Sequence, residues 1–309
     1  MAFSLSRLQN LTVPIYFLRT LRTPYWLIMK EIENSGVIDF RSLLEQAPVA
    51  PWMKRVLLRL ETPVKSFLGV SHFNHCFREV VANDKEPNQF ARCVSAFQLG
   101  YEPRFLIESE IPSSGAFIVV SNHPHGLWDG VILGDLLVKS RPNTKTVATF
   151  LTDYLTGFKP FFISVDPRSN KKLCKMNRVA WLSMRDQLSS GEPLLIFPAG
   201  HVSRFDIRSF STRDIDWSGL PIELATRFNI PLIPVFISGR NSWLYQIASL
   251  ISLTIANGLL IREFNLMRGK KKQVTIGDPI TPDELARFED TYEKITYLKD
   301  RTYGLSCSS

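Results

Sequence analysis

The sequence predicts an α/β fold: a mostly parallel sheet flanked by helices, preceded by an N-terminal helical region. Short runs rich in apolar and β-branched residues, at 116–120, 161–165, 194–197 and 231–237, read as buried strands. Between them lie stretches with apolar residues three and four apart, such as Leu173, Met176, Ala180, Met184 and Leu188, the stripe of a helix packed on a core. Strands that alternate with helices build a parallel sheet, and such sheets present polar groups on loops at their strand ends.

Taken in order, the 309 residues divide into an N-terminal helical region at 1–100, an α/β domain at 101–285 and a C-terminal helix and tail at 286–309. Pro14, Pro24 and several arginines break residues 1–30 into one or two amphipathic helices, packed on the core or lying at a bilayer surface. A helix is expected over 52–82. His72, His75 and Cys76 fall there at metal-like spacings, but further ligands are wanting, so they read as one helix face. A helix over 89–99 and an extended stretch over 101–110 follow. A Pro/Ser/Gly turn at 111–115 then delivers the chain into the central strand at 116–120. After it come a helix around 131–137, strands at 146–151 and 161–165, the 173–188 helix and the strand at 194–197. A helix at 221–229 and strands at 231–237 and 273–277 complete the pattern. Residues 244–261 form the most apolar stretch, interrupted by Gln246, Ser249, Ser252, Thr254 and Asn257. This reads as a helix half in the protein and half in a membrane interface, and the basic cluster from Arg262 to Lys272 suits anionic headgroups.

With 45% apolar and 11% aromatic residues the chain can bury a sizeable core, and its net charge of +8 favours an anionic partner. Nucleic acid is not that partner: no helix-turn-helix, zinc module or aromatic–basic interleaving is present. The scattered Cys76, Cys93, Cys174 and Cys307 show no repeated pair spacing, which points to a reducing compartment and away from a disulfide framework.

Chemistry concentrates in residues 121–130, Ser-Asn-His-Pro-His-Gly-Leu-Trp-Asp-Gly, at a strand–turn–helix junction. Histidine can take a proton from a hydroxyl near neutral pH, and a carboxylate on its other ring nitrogen fixes the tautomer and stabilises the imidazolium. His123 and Asp129 suit those roles, with His125 as the rival base. Three further strand ends carry arginines: Arg168, Arg204 in the segment Phe-Pro-Ala-Gly-His-Val-Ser-Arg at 197–204, and Arg240 in Gly-Arg-Asn-Ser at 239–242. Together they describe a basic pocket suited to phosphate or carboxylate.

These segments, in this order, resemble those of the glycerolipid acyltransferase superfamily, the lysophospholipid (1-acylglycerol-3-phosphate) acyltransferases, and in particular a bacterial hemolysin-like subgroup. The matching pieces are Asn122 to Gly130, Phe197 to Arg204, Gly239 to Ser242, Arg262 to Gly269 and Ile276 to Ile280, within roughly residues 50 to 285. The resemblance implies a membrane-associated O-acyltransferase of phospholipid biosynthesis, peripheral or monotopic at the cytoplasmic face of the inner membrane. Its donor would be acyl-CoA or acyl carrier protein, its acceptor a lysolipid hydroxyl, and no metal or cofactor is called for. By position, His123 becomes the base and Asp129 its partner. Asn122, His125, Gly126, Arg168, Phe197, Pro198, Gly200, Ser203, Arg204 and Arg240 become substrate-binding candidates. Two departures stand out. Five residues separate His123 from Asp129 where most of the superfamily has four, and Ala199 replaces the usual glutamate. The acceptor is therefore either lysophosphatidic acid or a lyso-aminolipid of the lyso-ornithine type. The alternative is a non-catalytic lipid-binding or membrane-remodelling protein on the same scaffold.

Overall fold

The computed structural model describes residues 41, 51–83, 85–106, 111–149, 157–165 and 174–308. The expectations for residues 1–30 and for Arg168 lie outside them.

Among the described residues, seven strands form the main sheet, in the order β1-β9-β8-β2-β5-β3-β4. They are β1 (Gly100–Phe105), β2 (Ile118–Ser121), β3 (Lys145–Thr149), β4 (Phe162–Val165), β5 (Leu194–Ile196), β8 (Leu232–Ile237) and β9 (Lys271–Ile276). A separate hairpin, β6 (Arg204–Asp206) with β7 (Ser211–Arg213), leaves the end of the β5 segment. Every pairing in the main sheet is parallel except β8 with β9. The α/β expectation is met.

Helices cover both faces. Phe117 and Val119 point into one core with Phe73, Phe90 and Trp128; Ile118 and Val120 point into the other with Met184, Leu224 and Leu298. A strand covered on both sides needs an uninterrupted apolar run, which is why 116–120 shows no polar alternation. The first face is covered by α3 (Val70–Ala82), α4 (Gln89–Ala96) and α5 (Leu127–Ser140), the second by α6 (Cys174–Ser189), α7 (Leu220–Phe228) and α12 (Thr291–Gly304). The N-terminal helices thus share the sheet's own core.

The long helix expected over 52–82 is interrupted: α1 (Pro51–Arg59), α2 (Glu61–Leu68) and α3 meet at Leu60 and at Gly69, which takes the left-handed φ of 69°. The single helix expected over 244–261 is likewise three pieces, α8 (Trp243–Ile251), α9 (Leu253–Gly258) and α10 (Leu260–Asn265). Ser252 breaks it by adopting an extended conformation (φ −159°, ψ 125°). No helix among the described residues is long and apolar enough to cross a membrane. A short α11 (Pro282–Leu285) leads into α12.

Candidate active site

β2 sits between β5 and β8, parallel to both. Parallel pairing brings the segments that follow these three strands to one edge of the sheet, where sequence reasoning placed the histidine turn, the 197–204 loop and the 239–242 loop. Ser203 N–H donates to the His123 carbonyl at 2.8 Å, joining the first two directly. Asn122 joins the first to the third: its Nδ2 donates to the Ile237 carbonyl at 3.0 Å and its Oδ1 accepts from Ile237 N–H at 2.7 Å. Its amide acts as an extra rung of the sheet, tying β2 to β8.

The turn itself is organised by Asp129, whose side chain is fully buried in the first turn of α5. Its Oδ2 accepts from the N–H of His125 at 2.8 Å and of Gly126 at 2.9 Å. A carboxylate at a helix N-terminus is stabilised both by such donors and by the helix dipole. The same Oδ2 lies 2.9 Å from Nδ1 of His123. The approach is oblique, at ion-pair distance but without the in-line geometry of a strong hydrogen bond. Gly126 makes the turn possible with φ 77° and ψ −120°, a region that side chains disfavour.

His123 keeps 19% of its side chain exposed. One ring face stacks on half-buried Phe197, centroids 4.3 Å apart and planes 29° apart. Asp129 at Nδ1 and Phe197 on one face hold the ring. His125 differs: it is 1% exposed, its Nε2–H donates to the Ser238 carbonyl at 3.0 Å, and its ring stands edge-on to Trp128. Burial pushes its pKa down, against the opposing pull of Asp129. Of the two rings, His123 is the one that keeps a solvent-exposed part.

The 197–204 loop turns through Gly200 at φ 64°. Pro198 is buried and its carbonyl accepts from Ser218 N–H. Ala199, where a glutamate was the family expectation, is buried against the second core. His201 donates from Nδ1 to the Ala199 carbonyl, and burial lowers its pKa, with Arg204 and His123 adding to the effect. Arg204 opens β6 and is half-buried; Arg240 is exposed, its guanidinium stacked 4.3 Å from the Trp243 ring centroid. Of the three arginines expected to line a basic pocket, these two are among the described residues, on separate loops.

Asp214 was not anticipated. It is 1% exposed and accepts from Ser203 Oγ at 2.5 Å, Trp217 Nε1 at 2.9 Å and the His123 N–H at 3.4 Å, while its own N–H donates to Tyr303 Oη at 2.7 Å. The Asp214 carboxylate thereby connects the histidine turn to the 197–204 loop, and its backbone N–H adds the C-terminal α12. Tyr303 is held far above its ordinary pKa, first by burial and then by Asp214.

Residues 72–309 match the sequence profile of a family described as acyltransferase. A lyso-glycine lipid O-acyltransferase of Bacteroides thetaiotaomicron is 28% identical over 204 residues, covering 63% of this chain and 72% of that protein. Its counterpart of the same name from Phocaeicola vulgatus is 27% identical over 202 residues, covering 63% and 70%. The crystal structure of a 1-acyl-sn-glycerophosphate acyltransferase from Thermotoga maritima aligns over 82% of this chain and 97% of its own, with 16% identity and a TM-score of 0.40.

Proposed function

Because the chain belongs to the acyltransferase family, we propose that it moves a fatty acyl group from an acyl thioester to the free hydroxyl of a lyso-aminolipid, with His123 as the general base. One observation carries the catalytic assignment: a partly exposed histidine whose Nδ1 lies 2.9 Å from a fully buried aspartate. Nε2 of His123 takes the proton from the acceptor hydroxyl as its oxygen attacks the thioester carbonyl. The tetrahedral intermediate collapses, the C–S bond breaks, and the imidazolium returns its proton to the departing thiolate. Asp129 steadies the imidazolium while it lasts, and Phe197 keeps the ring aimed. No acyl-enzyme forms, so no protein nucleophile is needed.

The acceptor reading rests on two supports. Ala199 puts a methyl where a carboxylate was the family expectation, and both relatives are named for acylating a lyso-glycine lipid. The five-residue spacing between His123 and Asp129 supports assignment to the hemolysin-like subgroup. Arg204 and Arg240 suit the acceptor's carboxylate. The enzyme then works as a peripheral or monotopic protein at the cytoplasmic face of the inner membrane.

The test is transfer from labelled acyl-CoA and acyl carrier protein to a panel of lyso-aminolipids and lysophosphatidic acid, comparing wild type, His123→Ala and His125→Ala. We expect the lyso-aminolipid to be preferred and His123→Ala to lose about 100-fold or more in turnover. Lipid binding without transfer by the wild type would favour the non-catalytic scaffold.

A further inference from the structure

Helix α8 is amphipathic in the reverse sense. It buries Gln246 and Ser249 together with Tyr245 and Ala248, and it exposes Trp243, Leu244, Ile247, Leu250 and Ile251, the last at 73%. A helix on the surface of a protein in water turns its apolar stripe inward and its polar residues out. Two of the inward polar groups are taken up inside: Ser249 Oγ donates to the Gln246 carbonyl, and Gln246 Nε2 to that of Asn241. The outward face is therefore fitted to an apolar medium.

That face continues into the β6–β7 hairpin. Phe205 lies 6.2 Å, centroid to centroid, from both Trp243 of α8 and Phe210 near the hairpin tip. Phe210 is 80% exposed and sits at φ 49°, a left-handed conformation unusual for a residue of its size; Ile207 beside it is 61% exposed. Arginines rim the patch. Arg204 and Arg208 of the hairpin stand against one aspartate, Arg240 stacks on Trp243, and α8 and α9 contain no acidic residue. The single Asp206 is spent on the hairpin turn, where it accepts from Arg208 N–H and Ser209 Oγ. Apolar side chains ringed by arginine complement an anionic lipid surface, with the rings in the acyl boundary and the guanidinium groups among the headgroups.

We propose that α8 and the β6–β7 hairpin form a bilayer-docking face that seats the catalytic turn against an anionic membrane. β6 starts at Arg204, next to Ser203, whose N–H holds the His123 carbonyl, so the docked face borders the base. The docking stands on the surface alone; its role in delivering a lipid acceptor rests on the function proposed above.

Flotation of the full chain with vesicles of phosphatidylcholine alone, or mixed equally with phosphatidylglycerol, tests it. Two double variants serve, Ile207→Ser with Phe210→Ser and Ile247→Ser with Ile251→Ser, with thermal unfolding as the check that each is folded. Wild type is expected to bind the anionic vesicles, to lose most of that binding in high salt, and to lose about tenfold in either double variant. Transfer to a short-chain acceptor dissolved below its micelle concentration is expected to stay at the wild-type level in both variants. Wild type that fails to bind, or folded double variants that bind as wild type does, would overturn the proposal. So would a wild-type dimer that the substitutions dissolve, which would make a second copy of the chain the occupant. Vesicle binding that the variants lose, from a protein that acylates no acceptor, would sink the function and leave the docking face standing.

Discussion

Asp129 Oδ2 lies 2.9 Å from His123 Nδ1, and the same oxygen accepts the backbone N–H groups of His125 and Gly126. The atom that orients the proposed base is therefore also the atom that shapes the turn carrying it. Asp129→Asn separates these duties. The amide oxygen can still accept the two N–H bonds, but a neutral group stabilises an imidazolium poorly and can favour the wrong tautomer. We expect turnover to fall by about 100-fold or more with little change in KM, while the fold is retained. Steady-state kinetics beside a thermal melt would show this; near-wild-type turnover would break the pairing.

Gly126 offers a backbone test of the same arrangement. A Cβ there would meet Val202 Cγ2 at 3.0 Å and Leu260 Cδ2 at 3.3 Å, on a backbone at φ 77°. Gly126→Ala should cost about 1–3 kcal/mol of stability and should also lower turnover, because the N–H that anchors Asp129 moves with the strain. Urea unfolding and a turnover assay on the folded fraction check the two parts. An unchanged midpoint would mean that the turn relaxes freely.

The turn was legible because its parts lie in one short stretch, 116–130: an apolar strand, a Pro/Gly turn, and a histidine and aspartate at its two ends. The βα alternation implied a parallel sheet, and parallel pairing brought the loops after β2, β5 and β8 to one edge as expected; the strand order itself was not predicted. Asp214 was not legible. It sits in an irregular stretch after a three-residue strand, and its meaning comes from partners far off in sequence, Ser203 and Tyr303. The break in the 244–261 helix was equally hidden, since Ser252 carries no proline or glycine signal and is one of several polar residues in that stretch, the others of which do not break it there.

Asp214 carries the next prediction. Asp214→Ala would leave the Trp217 indole N–H and Ser203 Oγ buried without their acceptor, a loss of roughly 3 kcal/mol. Tyr303→Phe removes only the hydroxyl that receives the Asp214 N–H, and should cost about 1 kcal/mol. Urea midpoints of the two variants should fall in that order. A reversed order would mean that α12 depends on Tyr303 by some other route.

His125 makes stability depend on pH. Burial lowers its folded-state pKa below histidine's ordinary value of 6.5, with Lys272 also opposing protonation and Asp129 and the Ser238 carbonyl favouring it. Below pH 6.5 the unfolded chain therefore takes up a proton that the folded chain refuses, so stability is fully present above that pH and is lost as the pH falls toward the folded value. His201, lowered for the same chief reason, works in the same direction. Each group alone can contribute a slope of at most about 1.4 kcal/mol per pH unit. Urea midpoints of wild type between pH 7.5 and 5, in steps of about half a unit, should decline on acidification. His125→Gln, which keeps a polar side chain but does not titrate, should start lower at neutral pH and decline less steeply. Parallel curves for the two proteins would show that His125 ionises as readily folded as unfolded, and that its burial against Ser238 is not maintained in solution.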